Sequence, residues 1–136
     1  PGTISREGAI STIQLTIGSR SWVLIQRRGR VSFLGRWAPN SYCHYHRHLG
    51  ETTTIVLEGE HHLVETTATR SVHKTRLAGD YSQSPYGEAH MEYAGDKGSV
   101  LFFDMQCPDD RVFEILDRND GVIGVLTIED FAAGNY

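Results

Sequence analysis

NSYCHYHRHLGETTTIVLEGE, residues 40–60, sets His44, His46 and His48 at every second position. An extended strand sends alternate side chains to one face. This stretch can therefore aim imidazoles at a single point. Neutral imidazole ligates iron, zinc, nickel and copper, so the run is a candidate metal-binding strand. The run alone leaves open which of its histidines bind.

The flanking chain sets the frame. Its 136 residues, 39% hydrophobic and 22% charged, suit one globular domain over 1–136 with a sizeable core. No run of eighteen apolar residues occurs, so no membrane-spanning helix is expected. The start, PGTISREGAISTIQ, lacks the apolar segment of a secretory signal. A net charge of -4 is the wrong sign for a general phosphate-backbone binder. Arg27, Arg28 and Arg30 in QRRGR read as a solvated turn. Cys43 and Cys107 are too few for a disulfide scaffold and read as reduced, structural thiols of a cytoplasmic protein. On a regular strand Cys43 is out of phase with the histidines and faces away from them.

Strand signals dominate the remainder. STIQLTI, SWVLIQR, VSFLGRWA, TTTIVLEGEHHLVET, KTRLAGDYSQSP, SVLFFDMQ, RVFEILD and GVIGVLTIE are rich in β-branched and aromatic residues and broken by Gly, Pro, Asn and Asp. Such short, closely spaced strands predict an all-β sandwich or barrel. DRNDG, residues 117–121, marks a hairpin. Only IEDFAAGNY offers a short helical turn.

A second histidine signal follows at GDYSQSPYGEAH, which runs Gly79, five residues, Pro85, one residue, Gly87, two residues, His90. It resembles the second motif of the cupins, G-x5-P-x-G-x2-H-x3-N, with Ala94 in place of the closing Asn. Anchored on Gly59, the first cupin motif, G-x5-H-x-H-x3/4-E-x6-G, falls on His46 and His48. Thr52 then occupies the glutamate position and Asn40 that of the opening glycine; Glu51 fits only a looser spacing. The resemblance implies a cupin (RmlC-like) β-barrel or jelly roll, with a metal held by His46, His48 and His90. Two imidazoles from one strand and a third from a distant strand can make a facial set with open positions. His44 is read as a hydrogen-bonding or exposed neighbour. His61 and His62 point to opposite faces, so at most one sees the cavity, and His73 is expected in an exposed polar turn.

Residues 30–131 are similar to the three-histidine cupins of the ChrR-like, 2,4'-dihydroxyacetophenone dioxygenase and acetylacetone dioxygenase group. The resemblance implies a non-haem Fe(II) dioxygenase that takes a small diketone or hydroxyketone as its enolate, with O2, and cleaves a carbon–carbon bond. Zinc, nickel or manganese could occupy the same donors. With Thr52 in place of a carboxylate, the expected centre has three imidazoles, and the enolate supplies the balancing charge. Glu65 corresponds by resemblance to a functional glutamate of the hydroxyketone-cleaving branch, either a base or a hydrogen-bond anchor; an exposed strand-end charge is the other reading. Glu88, two residues before His90, is a weaker candidate of open role that can equally lie on the rim. Phe33, Trp37, Tyr81, Tyr86, Met91, Phe102, Phe103 and Met105 are candidate pocket or core residues, with one of Phe102 and Phe103 facing inward. The alternatives are a lyase or isomerase working without O2, and a metal-binding sensor; this length leaves no room for the sensor's added regulatory domain. The resemblance also implies a homodimer or homotetramer built by pairing edge strands, with STIQLTI and SWVLIQR the expected partners.

Overall fold

The computed structural model describes residues 11–17, 20–27, 29–66 and 69–133. They form the expected all-β architecture, a curled antiparallel sheet of ten strands with one short helix. Its main path runs β1 (Ser11–Ile17), β2 (Arg20–Arg27), β3 (Arg30–Trp37), β8 (Ala89–Gln106), β4 (Tyr42–His48), β9 (Arg111–Leu116) and β10 (Val122–Thr127). β5 (Thr52–Thr66) pairs with β8 and also with β6 (Ser71–Leu77) and β7 (Tyr81–Ser84).

β8 organises the sheet. Its first part pairs with β4 and its last with β3, while β5 follows it along most of its length. From sequence only SVLFFDMQ read as strand; the charged and glycine-containing HMEYAGDKG before it is strand as well. Glycines make this continuity feasible. At the bend Gly59 and Gly98 both have φ of +77°, and a Cβ on Gly59 would sit 2.1 Å from the Gly98 carbonyl oxygen. Only a residue without Cβ allows that backbone approach.

Alternation places the core. Val31, Phe33, Trp37, Val56, Leu101, Phe103, Met105 and Val112 are buried on the inner face. Phe103 stacks on Phe33 with ring centroids 4.6 Å apart, so of the adjacent phenylalanines Phe103 is the inward one. Tyr81 and Tyr86 are exposed and line no core. The turn over 117–121 is present, with Asp117 accepting from the backbone N–H of Asn119 and Gly121. The expected helical turn is α1 (Ile128–Ala133), whose Asp130 N–H donates to the Thr127 hydroxyl. No helix of the described residues is long and apolar enough to cross a membrane.

Two expectations need correction. His73 lies in β6 and not in a turn, although it is exposed. Cys43 packs against the inner core, because a register shift between Cys43 and His46 breaks the alternation on which the outward assignment rested.

Candidate metal centre

β4 and β8 lie side by side with His46 opposite His90. Beyond the irregularity at residues 44–45, β4 alternates regularly and buries both His46 and His48. β8 does the same with His90 and Glu92. One donor atom from each of these four residues lies within 4.8 Å of all the others. The His46 and His48 Nε2 atoms are 3.2 Å apart, and Glu92 Oε2 is 3.2 Å from His46 Nε2 and 3.4 Å from His90 Nε2. Donors bound at about 2.0–2.2 Å to one first-row ion are separated by roughly 3.0–3.4 Å. The spacing is that of a single coordination sphere.

Hydrogen bonds on the far side of each ring decide which nitrogen is bare. His46 Nδ1 donates to the His44 carbonyl oxygen at 2.6 Å. His48 Nδ1 faces the Thr52 hydroxyl at 2.9 Å; that hydroxyl spends its own proton on the Gly50 carbonyl at 3.1 Å, so it accepts from His48. His90 Nδ1 donates to Glu88 Oε1 at 3.3 Å. Each neutral ring therefore carries its proton on Nδ1 and turns the Nε2 lone pair inward. The buried His90 Nε2 has no hydrogen-bond partner. Three lone pairs and a carboxylate oxygen converging in a buried space make a donor set that a divalent cation fits.

Glu92 was missed in the sequence, and it adds a carboxylate oxygen to the three imidazoles that the sequence singles out. Thr52 does stand where the motif glutamate would, and it holds His48; Glu51 is exposed. The carboxylate comes instead from β8, two residues after His90. The available signal was His-x-Glu on an alternating strand, the same spacing as His-x-His. Glu92 is held by His61, whose Nε2 donates to Glu92 Oε1 at 2.8 Å, while Ser99 Oγ donates to His61 Nδ1 at 3.0 Å. Trp37 packs edge-on against the fully buried His61 ring at 4.7 Å. His61 thus has the opposite tautomer to the other three, and it leaves only Oε2 of Glu92 to face the cage.

Charge in the cage is tightly balanced. Burial pushes the Glu92 carboxyl up, but the hydrogen bond from His61 and the close approach of the His46 and His90 imidazoles outweigh it and hold it well below the usual range. Burial also pushes His90 down, and the Glu88 and Glu92 carboxylates more than offset this, holding it at about 9. His48 is held well below its ordinary value by burial and by neighbouring His90 and His46. Phe113 of β9 closes one side, with its ring edge-to-face on His46 at 5.2 Å and on His48 at 5.1 Å.

The remaining candidates fall around this cage. Glu65 is half-buried and ion-paired with Lys74 at 2.6 Å. Its carboxylate lies within 4.8 Å of donor atoms of Glu88 and His90, so it is neither in the cage nor a free surface charge. Glu88 is half-buried behind His90 rather than on the rim. The His44 side chain is exposed, and the residue serves the centre through its carbonyl oxygen. His61 and His62 do point to opposite faces. Two open clefts, of about 570 and 980 Å³, lie elsewhere and are lined by none of the four donors.

A family model described as a ChrR cupin-like domain matches residues 9–108. No curated protein matches the chain by sequence. Among solved structures, an acetylacetone dioxygenase from Acinetobacter johnsonii superposes with a TM-score of 0.71 at 15% identity, covering 98% of this chain and 92% of that one. An oxalate decarboxylase from Bacillus subtilis gives a TM-score of 0.65 at 15% identity, over 98% of this chain and 35% of that one. The Lactobacillus farciminis oxalate decarboxylase gives 0.65 at 17% identity, over 98% and 39%. The chain thus spans little more than a third of the length of these decarboxylases, and at such identities the likeness is one of fold.

Proposed function

The chain belongs to the cupins, in the ChrR cupin-like domain family, and on that premise we propose that it is a metal-dependent oxygenase acting on a small diketone or hydroxyketone. The observation that carries this reading is the inward turn of three bare Nε2 atoms and Glu92 Oε2. His46, His48, His90 and Glu92 would hold the ion. Fe(II) there would supply Lewis acidity toward a substrate enolate and a redox-active centre for its reaction with O2; the substrate supplies the electrons, and both oxygen atoms end in the acid and the second carbonyl or acid product of carbon–carbon cleavage.

The chain's own residues do the rest. His44, Thr52 and Glu88 fix the three ring orientations. Phe113 keeps water off one side of the cage. Glu65, ion-paired with Lys74 and within 4.8 Å of a His90 ring nitrogen, is the group we assign to take the proton that a ketone must lose to become an enolate. Oxygen uptake by the Fe(II)-loaded protein over a panel of β-diketones and hydroxyketones tests the reading: uptake stoichiometric with substrate loss supports it. Diketones with no hydrogen on the central carbon should fail.

Glu92 favours a second reading, a lyase or isomerase that works without O2. A carboxylate ligand supplies the negative charge that the first reading asks of the enolate. Turnover by the Zn(II)- or Mn(II)-loaded protein under anaerobic conditions, with no oxygen uptake by the Fe(II) form, would establish the second reading in place of the first.

A further inference from the structure

On the outer face of the sheet, away from the cage, a second pair of imidazoles meets. His62 of β5 and His73 of the edge strand β6 are diagonal neighbours, since His62 pairs with Thr75 and His73 with Val64. Their ring nitrogens, His62 Nδ1 and His73 Nε2, face each other at 2.8 Å. Two more groups crowd the same atoms: the Thr75 hydroxyl is 3.3 Å from His62 Nδ1 and the Tyr93 hydroxyl is 3.1 Å from His73 Nε2. One ring nitrogen donates its proton to the other, or, with both lone pairs bare, a cation takes the proton's place.

We propose that His62 and His73 form a second metal-binding site, a bidentate seat for a tetragonal divalent ion such as Cu(II) or Ni(II). The geometry selects the class. Two nitrogens 2.8 Å apart, each bonded at about 2.0–2.1 Å, subtend roughly 85–90° at the ion. That is the angle between neighbouring positions of a square-planar or octahedral ion, and it is too tight for tetrahedral Zn(II). The seat is also braced. The Tyr93 ring lies flat on the His62 ring, with centroids 4.5 Å apart and planes within 3°, which fixes the imidazole plane. Glu60 Oε1 lies 3.6 Å from His62 Nε2, beyond hydrogen-bond reach but near enough to add negative potential beside the seat. His73 is exposed, so the remaining positions on the ion are open to water or to a small outside ligand.

The site has no donor in common with the cage, and its test is independent of any activity. Wild type, His73→Ala and His62→Gln are titrated with Cu(II) and with Ni(II), and bound metal per chain is counted after desalting, with circular dichroism to confirm the fold. Wild type is expected to bind one equivalent more than either variant. Its outer-site Cu(II) should show a tetragonal paramagnetic resonance spectrum with splitting from two nitrogens. Equal stoichiometry in all three proteins, or a spectrum unchanged in His73→Ala, overturns the proposal and leaves a proton as the species between the rings.

Discussion

Glu92 and His61 carry most of the chemistry that alternation in the sequence half concealed. Replacing Glu92 by Gln keeps the shape but removes the anion, so the protein should retain its fold and bind metal more weakly, as competition with a chromogenic chelator would measure. His61→Leu leaves Glu92 Oε1 without its donor; the loss of an orienting partner of this kind costs about 10–100-fold in metal affinity. His61→Gln, which restores an N–H donor, should recover part of it. A pH effect follows from His90. Its value of about 9 means that the metal-free ring is protonated at neutral pH, whereas ligation needs the neutral form. Binding of a divalent ion near pH 7.5 should therefore release about one proton, and the release should fade as pH rises through 9; calorimetry in buffers of different ionisation enthalpy reads this directly. The clustering of His46, His48 and His90 was legible because HxH on a strand and the Pro85–Gly87–His90 spacing together resemble the two cupin motifs. Glu92 was not, because the motif position for a carboxylate is held by Thr52, and a glutamate on an alternating strand looks like any solvated charge.

Strands differ in how plainly they announce themselves. β2, β3, β5, β9 and β10 are runs of β-branched and aromatic residues, and they stand where the sequence places them. β8 was only half visible, since Gly95, Asp96, Lys97 and Gly98 look like a turn, yet here they bend a strand without ending it. KTRLAGDYSQSP was read as one strand, but Ala78, Gly79 and Asp80 interrupt it, with the Asp80 carboxylate accepting from the Leu77 N–H. The irregularity in β4 left no compositional trace at all, and it reverses the side on which Cys43 packs. A prediction belongs to the bend. Gly59→Ala forces a Cβ into the Gly98 carbonyl and an alanine into the left-handed region, which should cost at least about 2 kcal/mol. Thermal unfolding should report the loss; an unchanged melting temperature would mean that the two strands can separate at this point without penalty.

At the scale of the molecule, β1 ends the sheet path with β2 as its one strand partner among the described residues. An edge strand invites pairing with a second copy, so sedimentation at micromolar concentration is expected to show a dimer, and a monomer would count against it. The cage has a different consequence. Its donors come from β4 and β8, so an ion there ties together two points of the chain with β5, β6 and β7 between them. Mechanically it is a removable staple. A covalent link closing a loop of roughly forty residues lowers the entropy of the unfolded chain by an amount equivalent to about 4 kcal/mol, and a coordinate link that survives unfolding would act in the same direction. Stripping the ion with a chelator should then speed proteolytic cutting first within residues 49–89, the loop it had closed, before the β2–β3 hairpin is touched. In this protein, metal supply would set how long the folded chain lasts as well as what it can do.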